Sequence, residues 1–380
     1  MNFSPLLLVI AGIVELLGPG SRQASRNQVA ERADGTGHFL ELAVFPSAGV
    51  NGFSKVQLWT SKRIAGKYSR IKLQEQELQI PDPSRIAKEL YDFPYPAFAS
   101  QNSAAAENRV AILCGTTDFT VRSLSVQALS VGPAIAVPAQ ARSISLRPGA
   151  SEVWVTHAGS VNQISISDLN TARLVGTIPF RLNPQAVPVA LLFSNSGRTA
   201  YAVVRNPEST ADRGFVFLID AATRQVRSQL SLGTTVPQSA VLGPDGATLY
   251  IAGTSLNDLN TAEPSLTYFD TYTNAFSVAA FGLPIVPDQL TIHPNGTRLY
   301  WLAPLAAAMD EFDVQSRRVI RRILLPRPIQ VQNLEISPTG DILFIRDGGN
   351  QVALHLDAES GEILDTQNIP AGPGVALFRP

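Results

Sequence analysis

Residues 244–250 read Pro-Asp-Gly-Ala-Thr-Leu-Tyr, and residues 294–300 read Pro-Asn-Gly-Thr-Arg-Leu-Tyr. Proline presets φ early in a tight turn and glycine supplies positive φ at its end, so each stretch is a turn running straight into a strand. The same spacing recurs along the chain. Trp154, Tyr201, Tyr250, Tyr300 and Phe344 follow the turn residues Ala150, Gly197, Gly246, Gly296 and Gly340. A period of about fifty residues is the mark of a repeat architecture rather than of unrelated domains.

A second marker follows in each unit, where an aspartate closes an alternating strand and Thr or Ser stands three residues on. The pairs are Asp168 with Thr171, Asp220 with Thr223, Asp270 with Thr273, Asp313 with Ser316 and Asp357 with Ser360. A carboxylate there can accept from the backbone N–H groups just ahead, and its identical repeat position argues for turn chemistry over metal binding or acid catalysis. Each unit then holds four short strands, with alternation such as Val352-Ala353-Leu354-His355-Leu356. A four-stranded sheet that is apolar on both faces must stack between like neighbours. Two further units lie upstream: Asp34-Gly35 with Phe39, and the strand-like residues 110–114 and 121–129. The expected fold is all-β, a seven-bladed β-propeller of four-stranded antiparallel blades. Residues 29–380 form one domain, and residues 374–380 supply the innermost strand of the N-terminal blade. The rival for that strand is residues 27–33.

Composition agrees. Hydrophobic residues make up 45% of the 380 and charged residues 16%, with 27 Gly and 27 Pro, as many short strands joined by turns require. The formal net charge of −1 gives no field that points to nucleic acid or to an anionic membrane. Cys114 is the only cysteine, so no disulfide forms within the chain, and its apolar setting reads as a buried structural thiol. Residues 1–28 form a leader whose apolar stretch, 6–17, is too short to span a bilayer but suits a signal-peptide core, although Glu15 interrupts it and no basic residue precedes it. Export to the periplasm or beyond is expected, with the cytoplasm as the alternative.

The turn followed by Thr297-Arg298-Leu299-Tyr300, then a strand ending in aspartate, resembles the YVTN-type β-propeller repeat family, which is WD40-like in architecture. Tyr201-Ala202-Val203-Val204 and Trp154-Val155-Thr156-His157 stand where that family's naming tetrapeptide would. The resemblance covers residues 139–380 well and 30–138 poorly. It implies the propeller fold and a bacterial, exported protein, and implies no activity, because propellers host many unrelated functions.

Catalytic motifs are missing: there is no Gly-x-Ser-x-Gly elbow, His-Glu-x-x-His, paired Cys-x-x-Cys, Walker loop or EF-hand loop. His38, His157, His293 and His355 fall in different blades at unlike repeat positions, so they read as structural, and no cofactor or metal is expected. The irregularities lie in the loops. Residues 206–213 and 253–264 lengthen the connection between second and third strands in blades four and five. Residues 76–93 read as an insertion between blades one and two, in which Asp82-Pro83 followed by Ile86, Leu90 and Tyr91 predicts a capped short helix. All three are expected on one rim. Loops on a rigid scaffold carry binding residues, so Glu208, Asp212, Arg213, Asp258 and Glu263 are candidate ligand contacts. Gln140, Gln185, Gln238, Gln289 and Gln332 stand near the starts of innermost strands, and Gln238 and Gln289 are candidates at the channel mouth. Arg317, Arg318, Arg321 and Arg322 lie on an outer edge, where charge discourages strand addition, so nucleic acid is not expected as a partner.

The function expected is a non-enzymatic scaffold that binds a protein, glycan or small polar ligand on the loop-bearing rim, with no transmembrane segment. Two other classes stand beside it. One is a hydrolase or lyase resembling the seven-bladed lactonases, marked by a charged cluster around the channel mouth. The other is a redox subunit that uses the propeller as a docking platform.

Overall fold

The computed structural model describes residues 38–47, 53–64, 67–81, 83–87, 109–114, 119–125, 128–256, 261–281, 283, 287, 289–302, 307–369 and 375–379. The leader, the Asp34-Gly35 turn and residues 27–33 lie outside them. Every regular element among the described residues is a strand, and the strands form seven antiparallel sheets.

From the channel outward, blade three is Ala141–Leu146, Glu152–His157, Gln163–Asp168 and Arg173–Pro179. Blade four is Val187–Phe193, Thr199–Arg205, Gly214–Asp220 and Gln225–Ser231. Blade five is Val236–Leu242, Thr248–Leu256, Ala262–Asp270 and Ala275–Phe281. Blade six is Gln289–Ile292, Arg298–Leu302, Ala308–Asp313 and Arg318–Leu324. Blade seven is Val331–Ile336, Ile342–Asp347, Val352–Asp357 and Ile363–Asn368.

Blade one joins the two ends of the chain. Its second to fourth strands are His38–Pro46, Ser54–Ile64 and Lys67–Leu78, and its innermost strand is Val375–Arg379. That strand runs antiparallel to the first, with Leu42 opposite Leu377. The tail strand therefore closes the ring. Blade two is Pro83–Ala87, Arg109–Cys114 and Thr120–Ser125, with two short pieces, Ser130–Val131 and Ile135–Ala136, both paired to the third strand. Innermost strands touch their neighbours around the whole circle.

The expected helix at Asp82-Pro83 is not there. Pro83–Ala87 is the innermost strand of blade two and pairs with the strand that ends at Cys114. Helical spacing of Ile86, Leu90 and Tyr91 misled because Pro also begins strands whose N–H is not needed, and tertiary pairing decided the outcome. The link between blades one and two is thus only 79–82. The longer stretch, 88–108, joins the first and second strands of blade two, so its ends emerge on the opposite rim from the blade four and five insertions. It lies outside the described residues.

Apolar residues fill the gaps between blades, one cluster to a gap. In blade four, Ala200, Ala202 and Val204 pack with Trp154 of blade three, whereas Tyr201 and Val203 pack with Leu249 and Phe269 of blade five. This is the period of two that a pleated strand imposes. It also gives the repeated aromatic its task, since Trp154, Tyr201, Tyr250, Tyr300 and Phe344 each face the next blade.

The glycine turns are built as their sequence demands. Gly197, Gly246, Gly296 and Gly340 have φ of 65°, 73°, 76° and 82°, and each donates its N–H back to the residue three before it. Each also abuts the corresponding turn of the preceding blade. A Cβ on Gly197 would run into the Pro148 carbonyl oxygen, whereas on Gly296 the nearest atom would be Pro244 Cδ at 3.5 Å. Gly296→Ala should therefore lose about 1 kcal/mol from backbone strain alone. Gly197→Ala should lose that plus about 1–3 kcal/mol of overpacking, read as a clearly lower Tm than Gly296→Ala. Equal melting of the two variants would refute the interlocking of turns.

Closure yields a second expectation. Deleting residues 374–380 uncovers His38–Pro46, the second strand of blade one, and opens the contacts that Val375–Arg379 makes with the innermost strands on both sides. The truncated chain should melt far below the full-length protein or fail to fold, and melting within a degree or two of it would overturn the closure.

Candidate functional site

Strand direction gives the propeller two unlike rims. The glycine turns and aspartate turns share one. The connections from second to third strand, and from blade to blade, share the other, here termed the loop rim.

On the loop rim, residues 206–213 form a closed, bonded structure rather than a free loop. Asn206 N–H donates to Arg213 O at 2.8 Å and Arg213 N–H to Gly233 O at 2.8 Å. Asn206 Nδ2 donates to Asp212 O at 3.0 Å, and Asp212 N–H to Ser209 Oγ at 2.9 Å. Ser231 Oγ donates to Asp212 Oδ1 at 2.5 Å. An asparagine chain anchors the base: Asn183 Nδ2 donates to Asn206 Oδ1, and Asn162 Nδ2 donates to Asn183 O at 2.8 Å. Of the expected contacts, Glu208 and Asp212 are exposed and Arg213 is half-buried, but Asp212 is occupied by Ser231.

Blade five differs from expectation. Much of 253–264 is strand, with Thr254 opposite Pro264, Ser255 opposite Glu263 and Leu256 opposite Ala262. Glu263 is therefore a half-buried ladder residue and not a loop contact. Asp258 lies outside the described residues.

The glutamines do not share one level. Gln140 and Gln185 are exposed, Gln238 and Gln289 are half-buried, and the Gln332 side chain lies outside the described set. A shared feature of the innermost strands, which sequence reasoning missed, is a bulge. Arg142, Val189, Gln238 and Gln332 each stand between ladder partners without a partner of their own. A bulge re-aims its side chain, and these bulges fall near the loop-rim ends of the innermost strands. Gln238 Oε1 accepts from Arg205 Nη1 at 3.2 Å, across the gap between blades four and five.

Elsewhere, charged groups are consumed between blades. Glu41, 1% exposed, meets His355 Nε2 at 2.9 Å and the Arg70 guanidinium, with Arg70 Nε at 2.9 Å. Burial pushes the Glu41 carboxyl up, but His355 and Arg70 outweigh it and hold it below the usual range. Arg70 lies 3.8 Å over the Trp59 ring and also donates to Gln367 Oε1 at 2.8 Å. These residues join blade one to blade seven. His157 is equally structural. Its Nδ1 contacts Ala139 O at 3.2 Å and its Nε2 contacts Ser165 Oγ at 2.7 Å, but both side chains are fully buried, out of reach of a substrate. Burial lowers the His157 pKa to about 4.

On the turn rim, a cleft of about 580 Å³ opens between blades six and seven, lined by His293, Arg298, Tyr300, Glu311, Arg321 and Asp341 among others. Its charged groups are paired internally, because Glu311 accepts from Arg298 at 3.0 Å and from Arg321 at 2.7 Å. The basic cluster on the edge of blade six is likewise neutralised in part. Arg322 forms a bidentate pair with the buried Asp310 at 2.7 and 3.0 Å, and Arg317 lies 5.1 Å over the Tyr268 ring. Edge protection thus rests mainly on the exposed Arg318.

Among the described residues no group of three or more His, Cys, Asp or Glu converges as a metal site, and no helix is long and apolar enough to cross a membrane. No family model matches the chain, and no curated protein matches it. Among solved structures, Kuenenia stuttgartiensis hydrazine synthase superposes with a TM-score of 0.58 at 13% identity, over 84% of this chain and 93% of that one. A protein from Lactobacillus plantarum superposes with a TM-score of 0.61 at 13% identity, over 90% of this chain and 98% of that one. At such identity the likeness establishes the propeller fold alone.

The repeated aspartates are turn residues. Asp220 Oδ1 accepts from the N–H groups of Ala222 and Thr223 at 2.9 and 2.8 Å, and its other oxygen from Arg227. The Thr223 backbone N–H first, then Arg227, hold its carboxyl down at about 2. The folded value is below the unfolded value of about 3.9, so the turn's contribution is present above roughly pH 4 and is lost as pH falls toward 2. Asp220→Ala should lower Tm at pH 7, and the gap to the parent should close by pH 2. A gap independent of pH would mean that the carboxylate is not what holds the turn.

Proposed function

We propose that the protein is a ligand-binding propeller scaffold whose site is the loop rim at blades four and five. The observation that carries this reading is the connection 206–213. Blade seven closes the equivalent turn with residues 348–351 alone, yet blade four uses a longer segment and holds it in one conformation with its own backbone, Asn183 and Ser231. Ordering a surface segment costs conformational entropy, and propeller closure does not require it. A pre-ordered loop that presents the exposed Glu208 on the rim that also carries the half-buried Arg205 and Gln238 is arranged for polar recognition. The repeat's likeness to YVTN-type propellers supports the same reading, with the chain acting outside the cytoplasm.

The test replaces residues 207–212 by Asn-Gly in the full chain. Lengthening or shortening a loop changes stability by well under about 1 kcal/mol per doubling, so Tm should move little. Binding of glycans or small polar compounds identified with the parent by thermal shift should be lost. A shortened variant that binds them at full affinity would move the site off this rim.

A further inference from the structure

Resting on that reading, we propose that the Arg205–Gln238 pair binds an oxyanion, a carboxylate or phosphate group carried by a small ligand. Alternation along the blade four hairpin sends neighbouring side chains to opposite faces. Asn206 meets Asn183 on the side of blade three, so Arg205 faces blade five. Directly opposite Arg205 in the ladder stands Gly214. Its bare Cα admits the entry strand of blade five, since a Cβ there would stand 2.6 Å from Pro237 Cδ and 2.8 Å from Thr235 O. The guanidinium is thereby brought against the innermost strand of blade five at its bulge, where Gln238 has no ladder partner.

Arg205 lacks the counter-charge that the blade-joining arginines have. Arg70, Arg147, Arg224, Arg298, Arg321 and Arg322 each bond a carboxylate. Arg205 is half-buried and, among the described residues, has no carboxylate within reach, and its Nε is buried with no hydrogen-bond partner. Its bond to Gln238 uses the amide oxygen, which satisfies one donor and leaves the charge uncompensated. That bond also fixes the amide so that Gln238 Nε2 remains a donor beside the guanidinium. A cation partly withdrawn from water, with an orphaned N–H and a neighbouring amide donor, is matched by an anionic acceptor with two oxygens. Between blades three and four, by contrast, Arg224 is answered by a carboxylate, that of Glu152.

The experiment uses the full chain in chloride buffer of matched ionic strength, titrated by calorimetry and thermal shift with inorganic phosphate and, separately, malonate. One or both should raise Tm and bind saturably, and comparison of the two tells phosphate from carboxylate preference. Arg205→Gln should melt at or above the parent in chloride yet lose at least about tenfold in anion affinity, with Arg205→Lys retaining part of it. Gln238→Ala should weaken binding without abolishing it. No anion-specific shift in the parent, or an undiminished shift in Arg205→Gln, overturns the proposal. If the anions fail but the variant shortened at 207–212 still loses the compounds that the parent binds, the scaffold reading stands and only the oxyanion assignment falls.

Discussion

Each blade has two apolar faces and cannot leave either in water, and the rest of the structure follows from that. A surface such as Ala200, Ala202 and Val204 on one side with Tyr201 and Val203 on the other needs a neighbour on both sides. Repetition supplies neighbours, but only a closed ring leaves no end uncovered. The pairing of Val375–Arg379 with His38–Pro46 is what turns seven stacked sheets into that ring. The buried carboxylate Glu41 stands beside the same seam. A buried ion pair repays its desolvation only with good geometry, and here Arg70 and His355 both engage Glu41 while Gln367 takes a further guanidinium donor.

The rims obey a finer rule, in which space released on one blade is filled from the next. Arg224, in the left-handed region at φ 57°, reaches back from blade four to Glu152 and Val175 O of blade three, and lies over Gly176. Between blades six and seven the direction reverses. Arg321 occupies the repeat position of Gly176 and reaches forward to the Ala358 and Glu359 carbonyls, while Gly361 occupies the position of Arg224 and lies against Ile323. One arginine and one glycine serve each of these two gaps, exchanged between blades. A repeat can therefore drift in sequence while its interfaces stay filled, provided that changes on facing positions are paired.

That exchange explains what was legible in the sequence. Turns and the aromatic knob are local, set by φ and by a period of two, so Gly246 and Tyr250 announce their structure within a few residues. The aspartate turns are local for the same reason, and their carboxylates accept from backbone N–H groups as their spacing implied. Glu41 and His355 are separated by almost the whole chain, and nothing in the neighbourhood of either announces the other. Position 83 was misread because helical and strand periods are hard to separate over so short an apolar run. The insertion in blade five was misread because length alone does not tell a loop from a longer hairpin, and pairing of Ser255 with Glu263 made it the latter. The bulges at Arg142, Val189, Gln238 and Gln332 left no compositional trace, since a bulge is a mismatch of register and not a residue type.

The candidate site is where this economy of paired surfaces stops balancing. Across blades one, three, four and six the structure spends charged side chains on joining elements, so that a carboxylate answers each of the guanidiniums of Arg70, Arg147, Arg224, Arg298, Arg321 and Arg322. The cleft between blades six and seven offers about 580 Å³, but its Glu311 is already answered twice from within. Volume without unmet polar demand gives a ligand little to bind, because a new contact there must first displace an existing one. At Arg205 the demand is unmet, the neighbouring loop is held in place, and the bulge at Gln238 turns a second donor the same way. Two donors fixed by separate blades keep their spacing only as long as the gap between blades four and five stays packed. Recognition on this rim is therefore tied to the apolar cluster beneath it, where Tyr201 and Phe269 meet with ring centroids 6.2 Å apart.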